Sequence, residues 1–563
     1  MRKKLLTVLA MSSIYLLSGC VGDEIDDMQK QIDTLEEKVT DLEASQQEAL
    51  LAAIAALETS IAELEATGSE QYTALLENLA TMEEEIQSNA SAIYYGNLLT
   101  QEDYDAMTAQ GASIVTGKVI ASKSAHITAL ADIKLIGGEL VLTVSESASL
   151  PMLENVGENL VITGSTGDAA IEFGALTSVG GSFEVIDNAG LATLTADALV
   201  LVNDELHTEN NSALTSLSFA NLDMVEEVYI NEYWSEDPRG VGISGISSID
   251  LSYVNVVGDA NIMYVGGGSL TLGNIGGGFK SIYNELTSIE ITSESIGGDF
   301  IVEYNGVLEN LLVDGIKTIN GNLSVSFNDN GYYWDATEKT GLVTMPAFEA
   351  LEYVGGDFKI DTNNQLTSME SFNAVTEIQG TNISISSNST GMDLVNVLNA
   401  LTTTGPNQYS NANIFIFQQT NWFDGFAALT IAADVSITIN KPTDGGGGIG
   451  IGFRTTATTD VAKLEGFDAL TEVKTLSINA TELTEFNAFG ALNNFLNYQT
   501  YLSLYMPSDS NVSMCSMEPI LAKIKNGDFD VSWSTDRKAY FSFNWSEVDR
   551  DTAYDQLTAG CTL

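Results

Sequence analysis

The sequence predicts a mainly β chain: a parallel β-solenoid carried on an N-terminal α-helical coiled-coil stalk. Three observations predict it. A glycine-centred phrase recurs, mostly at intervals of 20 to 24 residues, and a period of that length with one strand per copy marks a solenoid. An asparagine-rich phrase recurs between copies of the first. Ahead of both, apolar residues fall three and four apart among charged ones, which is a heptad seam. Of 563 residues 44% are hydrophobic and only 18% charged, so there is material for a packed core even though acids outnumber bases by 77 to 22.

The first segment is an address. Arg2-Lys3-Lys4, an apolar stretch from Leu5 to Leu17 too short to span a bilayer, and Ser18-Gly19-Cys20 make an export signal over 1–19. Leu17-Ser18-Gly19-Cys20 resembles the lipobox of bacterial lipoproteins. That resemblance implies cleavage before Cys20 and acylation of its sulfur and new amino group, with several chains giving stable attachment to outer-membrane lipid. Residues 20–24 form the lipidated N-terminus and tether. The run Val21 to Asp27 resembles the acidic export tag of surface lipoproteins of Bacteroidetes-like bacteria; it equally fits acids placed in a helix's first turn.

Residues 25–95 form the stalk. Ile25, Met28, Ile32, Leu35, Val39 and Leu42 keep a 3-4 rhythm, which slips before Leu50, resumes at Ile54, Leu57, Ile61 and Leu64, and breaks at Gly68-Ser69. At 1.5 Å per residue the helix 25–66 would be about 60 Å long. Two readings stand: a homodimer or homotrimer through 25–66, or an antiparallel hairpin folded about Gly68. Either spaces the body away from the lipid.

The body, 96–490, carries the repeat. Ile136-Gly137-Gly138-Glu139-Leu140, Val156-Gly157-Glu158-Asn159-Leu160, Val179-Gly180-Gly181-Ser182-Phe183, Ile296-Gly297-Gly298-Asp299-Phe300, Ile319-Asn320-Gly321-Asn322-Leu323 and Val354-Gly355-Gly356-Asp357-Phe358 are one motif, each leading into an alternating strand. With degenerate copies at Val202, Met224, Val256, Ile275 and Ile378, the intervals are 20, 23, 23, 22, 32, 19, 21, 23, 35 and 24. The glycines are expected to allow a tight turn, and neighbouring copies to stack about 4.8 Å apart, since one copy cannot bury its own face. The second phrase, Asn210-Asn211-Ser212-Ala213-Leu214 and Asn363-Asn364-Gln365-Leu366, reads as a corner where Asn side chains cap backbone groups, followed by a core Leu.

Together these phrases resemble the receptor L domain and its bacterial leucine-rich-repeat-like relatives over roughly 115–480. The resemblance implies a right-handed parallel β-helix that binds partners on its faces and loops, with no catalytic residues to transfer. The tail, 491–563, loses the repeat and is expected to cap the last coil. With Cys20 given to lipid in an exported chain, Cys515 and Cys561 read as one disulfide stapling that cap, the alternative being two unpaired thiols.

The two long intervals mark insertions, and both are aromatic: Tyr233-Trp234 in the first, Tyr332-Tyr333-Trp334 in the second. Both follow the repeat's strand, so they should leave the same edge, four coils or about 19 Å apart. Trp422 also follows a strand. These six are the candidate ligand-binding residues, because exposed rings beside carboxylates and amides are what a glycan or protein surface uses. The competing reading is that the rings fold back and seal the flank of the solenoid.

Composition excludes other classes. Five Arg and seventeen Lys cannot assemble the clustered cations that nucleic acid requires. Two His and three Cys, widely spaced, supply neither His catalysis nor a zinc site, and no cofactor or metal is implied. The expectation is therefore a lipid-anchored outer-membrane protein facing the cell exterior, displaying its solenoid to an extracellular glycan or protein. The alternative is a structural subunit of a surface layer, and a β-helix carbohydrate-active enzyme ranks behind both.

Overall fold

The structure, a computed structural model, describes Glu48, Thr81 and residues 92–561 except 144, 232–245, 247, 330–339, 346–347, 368, 370–371, 387, 389–393, 406–412, 419–421, 440–461, 481–482, 496–500, 506–511, 527–539 and 544–549. The signal and Cys20 lie outside the described residues, as does the expected stalk except for Glu48, Thr81 and residues 92–95, where Ile93–Tyr94 is a strand paired with Ile114–Val115 and so part of the first coil. The chain divides into two units, one ending at Ile246 and one beginning at Ser247. Both are built of parallel β-solenoid coils.

In the first unit, strand pairs one coil apart align the start of each glycine phrase. Tyr94, Val115, Ile136, Val156, Val179, Val202 and Val225 form one column. The fifth copy therefore starts at Val225, one residue beyond the Met224 that the sequence indicates, because Met224 pairs with Leu201. A second column runs Val119, Leu140, Leu160, Phe183, Leu206 and Val228, all buried. A four-stranded parallel sheet makes another side, from Ala148–Ser149 through Ala169–Glu172 and Leu191–Thr195 to Ser216–Ser218. Alternation explains the core: in Phe183–Ile186 the first and third residues point in and the others partly out.

The N-terminal end is covered by two helices. Gln101–Gln110 starts at a capping box between Thr100 and Asp103 and stops at left-handed Gly111. Its Tyr104 and Met107 are buried, and the Tyr104 ring stacks 4.2 Å from His126 of the short helix Ser124–Ala129.

The second unit repeats the plan. Val256, Ile275, Ile296, Ile319, Val354, Ile378 and Thr404 align, as do Ala260, Phe279, Phe300, Leu323, Phe358, Ile383 and Ile414. Each side chain of the latter column is buried, and burying one Leu or Phe contributes about 1.5–3 kcal/mol. The parallel pairing continues past residue 490, from Glu472–Ala480 to Tyr501–Tyr505 and on to Tyr540–Phe543. The tail thus still belongs in part to the ladder. Its helices Glu518–Asn526 and Arg550–Leu557 pack together, with Met517, Ile520, Leu521 and Leu557 buried and a Cys515–Cys561 disulfide beside them.

The glycine corner works differently from the sequence expectation. Gly180, Gly297 and Gly355 lie outside the left-handed region, so the turn itself does not demand glycine. Neighbouring coils demand it. A Cβ on these residues would collide with the carbonyl oxygens of Gly157, Gly276 and Asn320 respectively, one coil away. The asparagine corner is as expected, and forms ladders. In the second unit Asn284, Asn305, Asn328, Asn363 and Asn388 are buried one above another. Each of the first four receives its successor's Oδ1 on its own backbone N–H, at 3.1–3.2 Å. Each side-chain amide donates to a strand carbonyl, as Asn305 Nδ2 does to Ser281 O at 2.9 Å. Asn188 and Asn211 do the same in the first unit. Stacked coils leave polar backbone at the corner that water cannot reach, and the ladder satisfies it.

Candidate ligand-binding surface

Of the six aromatic candidates, Tyr233, Trp234, Tyr332, Tyr333 and Trp334 lie outside the described residues, but the points where their insertions leave the solenoid do not. In the first unit the chain departs after Asn231, whose φ is +55°. In the second it departs just beyond Phe327, φ +58°, and Asn328. Both exits follow a left-handed corner residue. The second is pinched at its base: Asp329 and Gly341 form an antiparallel bridge, Leu342 N donates to Asn328 O at 3.0 Å, and Thr340 Oγ1 donates to Gly306 O at 3.1 Å.

Trp422 opens the strand Trp422–Gly425, in a sheet ordered Leu394–Val397, Trp422–Gly425, Ala462–Gly466, Leu483–Ala488. Register sets what surrounds it. Trp422 stands opposite Lys463, which stands opposite Glu485; Glu465 stands opposite Asn487. Between these rows Phe423, Leu464 and Phe486 turn inward and are buried, so the alternating residues form an outer face. Trp422 is 36% exposed. Its indole Nε1 donates to Glu465 Oε2 at 2.9 Å, and Lys463 Nζ lies over the ring 5.8 Å from its centroid. Lys463 in turn pairs with Glu485 Oε2 at 2.8 Å, which raises its pKa. Burial, reinforced by Glu465 and Asp468, pushes the Asp424 carboxyl above the usual carboxylate range.

The outcome is a fixed indole surrounded by carboxylate acceptors and by ammonium and amide donors. Such a patch can take an apolar ring face against the indole and hydroxyl or amide groups around it. Trp422 packs against its own sheet through these bonds, yet keeps part of its ring in solvent.

One aromatic feature escaped the sequence analysis. Tyr264, Tyr283, Tyr304 and Phe327 all sit at the left-handed corner, with φ between +52° and +58°, and stack along the second unit. Successive ring centroids are 5.6, 4.8 and 4.7 Å apart with interplanar angles of 8°, 18° and 8°. Lys359 Nζ ends the column, 5.9 Å from the Phe327 centroid and 3.7 Å from Glu303 Oε1. The signal was present in Tyr283-Asn284, Tyr304-Asn305 and Phe327-Asn328: an aromatic before three successive ladder asparagines. In the first unit the same corner carries Asp187 and Asn210 instead, linked by Asn210 Nδ2 donating to Asp187 Oδ1 at 2.8 Å.

A polar patch lies on the first unit. His207 stands opposite Glu184 and Tyr229, and Tyr229 Oη donates to Glu227 Oε2 at 2.5 Å. Burial raises the pKa of nearby Glu205, with Asp204 adding to it. Among the described residues no three His, Cys, Asp or Glu side chains converge in a way that could hold a metal ion. No protein-family model, curated protein or solved structure matches the chain.

Proposed function

We propose that this chain is a lipid-anchored surface protein whose solenoid recognises an extracellular glycan or protein. One observation carries the reading: Trp422 is held by hydrogen bond and cation–π contact on the outward face of a rigid sheet, part of its ring in solvent, amid polar groups of both kinds. A ring placed only to seal the flank would sit inside, as Phe423 does next to it. Preorganised rings with polar neighbours favour recognition because little side-chain entropy is lost on binding.

The remainder of the proposal comes from the sequence. Cys20 is the acylated residue, outer-membrane lipid the anchor, and the cell exterior the side that the body faces. Residues 25–66 space the body from the lipid and join two or three copies. The coils wind right-handed, as the resemblance to receptor L domains implies. The role is binding and not turnover, since the paired carboxylates near Trp422 lie on an open sheet face and no site of acid and base on opposite sides of a ligand is formed there.

The test is binding of the mature chain to a panel of glycans and matrix proteins, compared with Trp422→Ala and with Trp234→Ala/Trp334→Ala. Loss of a tenfold or greater share of affinity in the first variant locates the site on this sheet face; loss in the second locates it on the insertions. Binding unaffected by either removes aromatic recognition, and absence of binding by the parent favours a structural subunit.

A further inference from the structure

We infer that the tyrosine column is a site of oxidative cross-linking, in which Tyr283 and Tyr304 couple into a dityrosine that staples one coil to the next. The inference is independent of the recognition reading. Phenols couple when two rings are one-electron oxidised and their ortho carbons can meet; in solution the meeting is limited by encounter, whereas groups held together react at a far higher effective concentration. Here the fold holds them. The two tyrosines occupy equivalent points of adjacent coils, and parallel pairing of Phe279–Ile282 with Phe300–Glu303 fixes their separation. Their rings lie 4.8 Å apart and 18° from parallel.

Tyr283–Tyr304 is favoured over the neighbouring pair on two counts. Tyr264 and Tyr283 are farther apart, at 5.6 Å. Tyr264 is also buried, whereas Tyr283 is 37% exposed and Tyr304 half-buried, so an oxidant reaches the latter two. Phe327, next along, closes the series because it has no phenol to oxidise.

The oxidant is a peroxidase with hydrogen peroxide. Each phenol gives one electron and one proton, leaving a phenoxyl radical whose spin spreads to Cε. The two radicals form a Cε–Cε bond, and the hydrogen on each coupled carbon shifts to the ring oxygen, restoring two aromatic phenols. Hydrogen peroxide accepts the two electrons and two protons and leaves as two water molecules. The product is lighter by two hydrogen atoms.

The experiment treats the full chain, at a dilution that suppresses contact between molecules, with peroxidase and hydrogen peroxide. It then maps linked peptides by mass and follows dityrosine fluorescence. Phenylalanine variants preserve the ring stack, so folding is retained. The expected result is a single intramolecular link joining 283 to 304, abolished in Tyr283→Phe and in Tyr304→Phe and retained in Tyr264→Phe. A link that maps to another pair, persists in Tyr304→Phe, or forms only between molecules overturns the assignment, as does no link at all.

Discussion

Asn305 serves three coils at once: its Oδ1 accepts the Asn284 amide at 3.1 Å, its Nδ2 donates to Ser281 O at 2.9 Å, and its own amide is taken by Asn328. Replacing it with alanine strands a donor and an acceptor where water has no access. Each orphan costs about 1–3 kcal/mol, so Asn305→Ala should destabilise the second unit by about 2–6 kcal/mol in equilibrium denaturation. Asn305→Asp keeps the acceptor and should cost less near acid pH than near neutrality. Glycine offers a paired contrast. Gly355→Ala would push a methyl into the Asn320 carbonyl, whereas a Cβ on Gly315 finds its nearest atom at 3.7 Å. Thermal denaturation should show the first lowered by about 1–3 kcal/mol or more and the second within about 0.5 kcal/mol of the parent. The left-handed tyrosines tell the same story, since an L-residue there costs about 1–2 kcal/mol and is held in place by ladder bonds such as Tyr304 N to Ser326 O, 3.1 Å.

The elements that close the solenoid obey different rules from the coils. The disulfide joins positions separated by 46 residues, and a cross-link of that span restricts the unfolded chain by about 4 kcal/mol in the loop-entropy account. Cys515→Ser/Cys561→Ser should therefore open the C-terminal helices to hydrogen exchange well before the Phe358 column. At the other end, burial and then Lys123 hold the His126 pKa below its ordinary value. The unfolded chain then binds a proton that the folded cap refuses, so stability is full above the ordinary histidine pKa of about 6.5 and falls as the pH drops below it. His126→Phe should keep the stack on Tyr104 and flatten the acid limb of cap stability measured by hydrogen exchange. How much of this was legible in the sequence follows from where the signal lay. The coils were legible because each glycine phrase repeats the same steric demand, and the asparagine corner because its residue type has one use there. The cause of the glycines was not, since collision with the next coil is invisible within a single copy. The continuation of the ladder through Tyr501–Tyr505 and Tyr540–Phe543 was also hidden, because those strands lack the glycine phrase. Trp422 could be named from sequence; its bond to Glu465, 43 residues away, could not.

The whole chain carries −55, and a charge of that size works against any folded body. Several of the described lysines are paired with carboxylates: Lys317 with Glu294 at 2.8 Å, Lys463 with Glu485 at 2.8 Å and Lys525 with Asp555 at 3.3 Å. Adding salt from about 0.01 M to 0.15 M shortens the reach of the remaining carboxylates from about 30 Å to 8 Å. The midpoint of thermal unfolding should rise across that range, the reverse of a protein held by surface ion pairs. Register also sets how such a molecule can change size. Phe279 faces Phe300, and Phe300 faces Leu323. Excising residues 300–322, which is 323 minus 300 or 23 residues, would bring Leu323 opposite Phe279. Length is thus a quantity this chain can gain or lose in whole steps, by duplication or deletion of one copy, while the caps at its ends are left untouched.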